Sequence, residues 1–404
     1  MIGPRSHWKS ILGLTLVMPL SAFAPADDRK LTIRGGTNDL GETPIVVEVP
    51  ASLLPGTYRL VPGEGDPVDA QIFHDGDKAL LGAVLPSIKK QSVEQFRIEP
   101  APDLADPKVG VHIKVAPATI DVTLNKKPFT TYRLDIGPKP IFYPVYGPTG
   151  VPITRAYPMK DVAGEAKDHP HHRSFWFTHG NVNGIDFWSE AKGHGTIKET
   201  GRLTVIEGPA LGRIRTTDDW VAPDGQAVCS DERVVTFLDT KQGRVLDFEI
   251  TIKANHGPVT FGDTKEGMFG LRVASSMDAK PPTLGKITNA EGLTNDDTWG
   301  KPSPWVDYVG PVDGKTVGIA ILNHPKSFRY PTTWHVRTYG LFAANPFGYH
   351  DFGRKEPGAY TIPSGESIRF QYRLIFHEGD TASAKVPELF RSYTEPPSVS
   401  VKAD

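Results

Sequence analysis

Residues 245–253 read VLDFEITIK, and this stretch decides the fold class. Leu246, Phe248, Ile250 and Ile252 are apolar, and the residues between them are charged or polar. A period of two places the two kinds of side chain on opposite faces of an extended chain. The stretch therefore predicts a β-strand with one buried face.

The same alternation recurs at residues 109–115, 120–124 and 368–376. Turn signals such as Pro-Asp-Gly at 223–225 separate such segments, and 40 glycines and 37 prolines leave little room for long helices. Only residues 382–393 have helical spacing. The pattern predicts an all-β fold built as an antiparallel β-sandwich.

The N-terminus has the features of a secretory signal peptide. Arg5 and Lys9 precede an apolar run over 11–20, and small residues follow up to Ala26. We expect cleavage after Ala26 and a periplasmic or secreted protein. The remaining chain has 43 basic and 47 acidic residues, a formal charge of −4, and no basic run. We therefore expect no nucleic-acid partner and no membrane insertion after cleavage of the signal peptide.

The composition changes along the chain. Every tryptophan except Trp8, and most histidines, lie beyond residue 116. We expect a signal peptide at 1–26, an N-terminal β-sandwich module at 27–116, a main β domain at 117–395 and a tail at 396–404. The single cysteine, Cys229, excludes an internal disulfide and is expected to be buried. We therefore expect the functional site to lie in the main domain.

The first motif lies at residues 168–190 and begins Asp-His-Pro-His-His-Arg. Imidazoles can transfer protons near neutral pH, and neighbouring aromatic and amide side chains suit a polyhydroxylated ligand. The alternative is that some of the histidines satisfy buried backbone groups. The candidates in this motif are His169, His171, His172, His179, Arg173, Trp176 and Asn183.

Two further motifs follow. In 261–272, Asp263 and Glu266 lie between glycines and form a carboxylate pair suited to acid/base work on glycosidic oxygens, or simply two solvated loop charges. In 334–348, an extended strand would place His335, Arg337 and Tyr339 on one face. That face is either a cleft wall or a barrel exterior.

These three motifs, together with Trp299-Gly300-Lys301 and Trp305-Val306-Asp307-Tyr308, resemble a bacterial family labelled "methane oxygenase PmoA-like" over residues 117–395. The family is similar in strand richness to the galactose-mutarotase-like β-supersandwich, a fold shared by sugar epimerases, lyases and glycoside hydrolases. Its label refers to a membrane-embedded copper oxygenase subunit, which needs several apolar helices that this sequence lacks. The resemblance therefore does not imply a genuine methane oxygenase.

The leading hypothesis is a carbohydrate-active hydrolase, lyase or epimerase acting on a sugar or oligosaccharide. A second is a metal-dependent enzyme in which His169, His171, His172 and His179 supply three ligands to zinc, copper or iron and Asp186 or Glu190 completes the shell. A third is a non-catalytic glycan-binding module. The expected catalytic residues are His171, His172, His179, Glu266, Asp263, His335 and Tyr339. The expected substrate-binding residues are Arg173, Trp176, Asn183, Arg272, Trp334, Arg337 and Asn345.

Overall fold

The computed structural model describes residues 29–105 and 109–402. The signal peptide predicted at 1–26 lies outside them. Within the described part of the chain, no helix combines the length and apolarity needed to cross a bilayer.

The described chain is built almost entirely of strands, with one α-helix, α1 (Val386–Thr394). The strands are β1 (Lys30–Arg34), β2 (Thr43–Glu48), β3 (Gly56–Pro62), β4 (Val68–Asp75), β5 (Lys78–Leu85), β6 (Val93–Pro100), β7 (Val111–Val115), β8 (Thr119–Leu124), β9 (Lys127–Arg133), β10 (Ile141–Val145), β11 (Phe175–His179), β12 (Thr196–Ile206), β13 (Gly212–Val221), β14 (Ala227–Thr240), β15 (Gly243–Lys253), β16 (Val259–Phe261), β17 (Gly267–Arg272), β18 (Lys286–Asn289), β19 (Trp305–Val312), β20 (Lys315–Asn323), β21 (Trp334–Val336), β22 (Leu341–Ala344), β23 (Tyr360–Ile362), β24 (Ser367–Glu378) and β25 (Ser398–Lys402). Short 3-10 helices occur at Pro102–Ala105, Ser275–Met277 and Asn295–Thr298.

Two eight-stranded antiparallel sheets form the main domain. The site sheet has the order β21-β22-β17-β11-β10-β9-β8-β7, and the backing sheet has the order β12-β13-β14-β15-β24-β20-β19-β18. Apolar residues of both sheets form one core, in which Phe175 of β11 packs edge-on against Phe248 of β15. The stretch VLDFEITIK lies in β15, and its four alternating apolar residues are at most 2% exposed. The all-β antiparallel sandwich is confirmed.

The N-terminal module is one seven-stranded sheet, β2-β5-β4-β3-β6-β1-β25, with its own apolar core. The prediction of a separate sandwich at 27–116 is therefore wrong in two respects. The strands of the module belong to a single sheet, and β7 leaves the module to pair with β8 in the site sheet. Pro117 lies in the turn of that β7–β8 hairpin, where Ala116 N donates to Thr119 O over 2.8 Å. Pro117 therefore lies within a hairpin of the site sheet and not at a domain boundary.

Two predictions near the C-terminus also need correction. The segment 396–404 is not simply a tail, because its residues 398–402 form β25 and pair with β1 along their whole length. The helix begins at Val386 rather than at 382. Asp380 accepts a hydrogen bond from the backbone N–H of Ser383, and this turn occupies the positions before the helix. Cys229 is buried, as expected.

Candidate functional site

The three sequence motifs come together because their strands are neighbours in the site sheet. β11, β17, β22 and β21 carry them and lie side by side. Trp176 pairs with Gly270, Gly270 with Ala343, and Ala343 with His335, so these four residues form one row across the sheet. Apolar residues of this outer face, including Trp176 and Ala343, form a small cluster separate from the main core. The candidate site therefore lies on the outer face of the sandwich.

A tight turn over 168–173 covers this face. His172 N donates to His169 O, and His169 adopts a positive φ of 45°. Asp168 anchors the turn by accepting hydrogen bonds from Arg155 and from Arg272 Nη2. Burial opposes ionisation of Asp168, but Arg272 and the other hydrogen-bonding partners outweigh it and lower its pKa to about 2. Asp168 is thus a fixed anion that holds the turn on the sheet.

His169 is the accessible histidine of this turn. Its side chain is 41% exposed, and its Nδ1 atom lies 2.8 Å from Asp168 Oδ2. Its ring is nearly parallel to the rings of His172 and Tyr339, at centroid distances of 4.7 Å and 5.3 Å. The carboxylate holds Nδ1, and the two rings hold the imidazole plane. The second nitrogen, Nε2, is therefore the atom with which His169 can exchange a proton.

His172 is buried beneath His169 and serves as a support. Its Nδ1 atom accepts a hydrogen bond from Arg272 Nη1 at 3.1 Å. Burial and the charges of His171 and Arg272 lower its pKa well below the ordinary value. His171, half-buried against Trp188, has a pKa lowered to about 4, mainly by burial and Lys139. Both rings are therefore neutral near pH 7.

The two other predicted catalytic histidines are also buried. His179 Nε2 lies 2.8 Å from Gly262 O, and His335 Nδ1 lies 2.7 Å from Lys265 O. Burial lowers the pKa of each to about 4. They hold the backbone of the loop over 262–266. The reading in which histidines satisfy buried backbone groups therefore describes these two.

That loop presents Glu266 to the site. Gly180 N donates to Glu266 O at 2.6 Å, and a Cβ atom at Gly180 would lie 2.8 Å from the Cβ of Glu266, so only glycine permits this approach. The Glu266 side chain is 37% exposed, and its nearest cation is Lys265 at 3.6 Å. Burial raises the pKa of Glu266, while Lys265 and His169 oppose the rise. His169 is therefore close enough to affect the pKa of Glu266.

The other acids of the motifs are occupied elsewhere. Asp263 accepts the backbone N–H groups of His350 and Gly358, at 2.9 Å and 2.7 Å, and so fastens the loop after β22. Asp186 accepts the N–H groups of Trp188 and Ser189. Asp263 was a predicted catalytic residue, and its geometry gives it a structural role instead. Its partnership with Glu266 does not form because its oxygens face backbone donors.

Glu190 and Arg173 form a separate ion pair. Arg173 binds Glu190 through Nε and Nη2, and buried Lys139 adds a third contact at 2.7 Å. Burial opposes ionisation of Glu190, but Arg173 and Lys139 outweigh it and lower the pKa of Glu190. Burial lowers the pKa of Lys139 to about 8. Arg173 is thus already bound to a carboxylate of the protein through two of its nitrogens.

Several predicted binding residues prove to be structural. Trp334 is fully buried in the main core and donates to Ser303 O, while Trp176 is buried between His172 and Trp188. Asn345 is buried and donates to Thr264 O and Lys265 O. Asn183 accepts from Thr260 N and donates to Pro258 O. These positions shape the site from beneath or beside it.

The third motif is a hairpin rather than one strand. β21 ends at Val336, and Gly340 N donates to Arg337 O at 3.0 Å, with a positive φ of 98° at Gly340. The prediction of an extended 334–340 is therefore wrong, because glycine permits a tight turn there. The turn holds Arg337 and Tyr339 half-buried at the rim of the site, while His335 lies below.

The histidines do not fit a metal centre. The near-parallel rings of His169 and His172 face each other, interplanar angle 8°, so their lone pairs cannot converge on one ion. His172 Nδ1 meets a guanidinium, and His179 Nε2 meets a carbonyl. Across residues 29–105 and 109–402, no three His, Cys, Asp or Glu side chains are grouped to hold a metal.

The sequence reasoning named His169 and Trp299 without the contacts found here, and it missed the roles of Asp168 and Asp278. Asp168 and His169 act as a pair, and Trp299 packs against Arg337, its ring centroid 5.5 Å from the guanidinium carbon. Asp278, whose pKa is raised by burial despite nearby Arg272, lies behind the site. The Asp-His sequence at 168–169 was a usable signal for the first pair. Trp299 and Asp278 come from distant loops, and only the fold reveals them.

A cavity of about 630 Å³ lies elsewhere, lined by residues that include Asn125, Asp239, Arg244 and Lys385. It contains no residue of the three motifs. Asn125 donates to Asp239 at 2.8 Å, and Arg244 donates to Pro128 O and Tyr146 O, so these polar groups are already paired. The motif face therefore remains the better candidate site.

Fold and site together define a class of protein: an antiparallel β-sandwich with an added N-terminal sheet and a polar site on one outer face. The chain belongs to the family of unknown function DUF6807, whose model matches residues 119–391 and so contains the whole site. No curated protein matches the chain. The match does not test the resemblance to PmoA-like proteins, which stays a prediction.

Two solved structures are similar over 94% of this chain, each at 12% identity. One is a protein in glycosyl hydrolase family 38 from Enterococcus faecalis, with a TM-score of 0.39 and 48% of its length covered. The other is an alpha-mannosidase from Enterococcus faecalis V583, with a TM-score of 0.40 and 46% covered. The chain thus spans about half the length of either. At these scores the likeness carries no argument about function.

Proposed function

We propose that the protein is a carbohydrate-active enzyme that performs acid/base chemistry on a sugar or oligosaccharide at the outer face of the site sheet. The observation that carries the proposal is the hydrogen-bonded Asp168–His169 pair stacked on Tyr339, with Glu266 within electrostatic range of both His169 and Tyr339. A proton acceptor held by a carboxylate, next to a second carboxyl group in a different environment, is the equipment of general acid/base catalysis.

His169 is the proposed base. Asp168 fixes the Nδ1 tautomer and stabilises the imidazolium that forms when Nε2 takes a proton, as a carboxylate does in hydrolytic triads. The other histidines are weaker proton acceptors, because burial lowers the pKa of His171, His172, His179 and His335 and so disfavours the imidazolium that each would become.

Glu266 is the proposed acid. Its raised pKa lets the carboxyl group keep its proton closer to neutral pH than an exposed glutamate would. Asp168, Asp186, Glu190 and Asp263 are all held by arginines, lysine or backbone N–H groups. Glu266 is the motif carboxyl that remains able to donate a proton. Tyr339, close enough for Glu266 to affect its pKa, can bind a hydroxyl of the substrate.

Export is part of the proposal. The signal peptide predicted from the sequence would bring the protein to glycans outside the cytoplasm. A sugar with many hydroxyls suits a site rich in imidazole, carboxyl, phenol and guanidinium groups, because each of these bonds to hydroxyl or charged oxygen.

The test is a screen of the purified mature chain against plant and algal oligosaccharides, with cleavage, elimination and anomer exchange followed by NMR. On the substrate found, H169A and E266Q should each lower kcat by about 10²–10⁴-fold. The matched control H74A changes an exposed histidine of the N-terminal module and should keep full activity. Turnover that survives both substitutions overturns the assignment. Glycan binding with no turnover, unchanged in E266Q, would instead identify a non-catalytic binding module.

A further inference from the structure

Arg337 differs from the other arginines around the site. Arg155 and Arg272 bind Asp168, and Arg173 binds Glu190. Within the described ranges, the guanidinium of Arg337 has no hydrogen-bond acceptor and no carboxylate within salt-bridge distance. It is a half-buried cation that the protein itself leaves unneutralised.

Two aromatic rings hold this cation in place. The guanidinium carbon of Arg337 lies 5.5 Å from the ring centroid of Trp299 and 5.7 Å from that of Tyr339. Such contacts stabilise a planar cation while leaving its N–H edges unbonded. The side chain is thus oriented without its donors being used.

The position of Arg337 relates it to the proposed catalytic groups. Burial raises the pKa of Tyr339, and the charge of Arg337 opposes that rise; burial lowers the pKa of His335, and Arg337 adds to that lowering. Lys265 lies on the same rim, with Nζ 3.6 Å from Glu266 and 3.9 Å from Asp351. Lys265 is therefore matched by two carboxylates, whereas the fork of Arg337 remains free to bond a ligand.

We infer that the substrate is an anionic sugar whose charged group binds Arg337 through two parallel hydrogen bonds. A guanidinium fork matches a carboxylate in geometry and charge, and it also matches a sulfate ester. Of these two groups we expect the carboxylate, carried by a uronic acid residue of the substrate. This inference rests on the proposed function, since it places the anion beside His169 and Glu266. In this inference Arg337 binds the anion of the substrate. Arg173 and Arg272, which the sequence analysis also expected to bind substrate, are occupied by carboxylates of the protein.

The experiment compares binding of three ligand sets by calorimetry: uronate-containing oligosaccharides, their neutral counterparts, and sulfated counterparts. The proteins are the full mature chain, R337Q and R337K. R34Q, which changes an exposed arginine of the N-terminal module, serves as the matched control. We expect the uronate to bind wild type tightest. R337Q should weaken its binding by about 10- to 100-fold and leave neutral binding unchanged. R337K should recover only part of the affinity, because lysine lacks the fork.

Each other outcome has a defined meaning. Tightest binding of the sulfated ligand, lost in R337Q, supports the anion site and identifies the sulfate ester as its source. Equal binding of neutral and anionic ligands, or no effect of R337Q, overturns the inference. If the enzyme turns over a neutral glycan and this turnover depends on Glu266, the inference of an anionic substrate is overturned, whereas the proposed function is supported. Arg337-dependent binding of anions without any turnover would sustain the inference and overturn the catalytic proposal. Thermal unfolding of each variant checks that it is folded.

Discussion

At the scale of single residues, the site depends on how its charges are compensated. Arg155 and Arg272 are almost fully buried, and both bind one carboxylate, Asp168. A buried guanidinium without an acceptor is costly, because it loses its hydration without replacement. Asp168 therefore stabilises two cations at once and, through its other oxygen, orients His169.

We predict that D168N lowers the free energy of unfolding by about 1–3 kcal/mol at pH 7. This range allows for solvent screening of the interactions of Asp168, which is partly exposed. Because the pKa of Asp168 is depressed to about 2, its contribution is present above the unfolded value near 4 and is lost as pH falls towards 2. Urea unfolding at several pH values should show the two curves converging below pH 4. D161N removes an exposed acid of the same segment, paired with Lys167, and should change little. A difference between wild type and D168N that persists undiminished at pH 2 would contradict this account.

At the scale of strands, the sequence predicts more than it does for individual site residues. The period of two identified β15 and the all-β class because one-sided burial is a property of local sequence. The sequence analysis predicted β21 to be longer than it is. The turn at Gly340 ends the hairpin strand and depends on a positive φ, which the alternation of side chains does not reveal. The three motifs lie on neighbouring strands of the site sheet, an arrangement that local alternation does not specify. Which histidine remains exposed depends on the stacking of His169 on His172, a contact specific to the folded turn.

The backing sheet contains a buried ion pair that joins nonadjacent strands. His377 of β24 lies 3.0 Å from Asp307 of β19 and spans β20, where a Cβ at Gly318 would lie 2.3 Å from the imidazole ring. Burial disfavours the imidazolium, but Asp307 outweighs it and raises the pKa of His377. The stability from this pair should therefore be present at low pH and lost as pH rises through the raised pKa.

We predict that D307N destabilises the fold by about 3–5 kcal/mol at pH 6, because it leaves a buried imidazolium unpaired. The difference from wild type should be smaller at pH 9, because stabilisation by a raised pKa is lost as pH rises through that pKa. Chemical unfolding at the two pH values measures it. D135N, which removes the acid of the exposed Arg133 pair, should have a small effect at both. A difference independent of pH would show that the pair carries no charge.

At the scale of the molecule, the N-terminal sheet is attached to the main domain through polar contacts as well as through the chain. Asp75 of β4 binds Arg213 and Arg215 of β13, and Gln71 accepts the N–H groups of Ala210 and Leu211. Phe73 of the module also joins an apolar cluster with Leu211 of the main domain. The module therefore braces the backing sheet, on the side opposite to the proposed site.

The far end of the chain completes the module, and this makes its stability depend on β25. Every residue of β1 pairs with β25 on one side and with β6 on the other. Deleting residues 397–404 should turn β1 into an edge strand and uncover the side of the apolar cluster on which Val399 and Val401 pack. We expect hydrogen exchange to accelerate at Leu31 and Ile33, whereas Phe248 and Phe370 in the sandwich core should keep their protection. A chain ending at Lys402 retains β25 and serves as the control. If the deletion leaves exchange in β1 unchanged, the module does not need its last strand. If the sandwich core loses protection as well, the two units unfold together, and the N-terminal sheet is a structural part of the domain that carries the site.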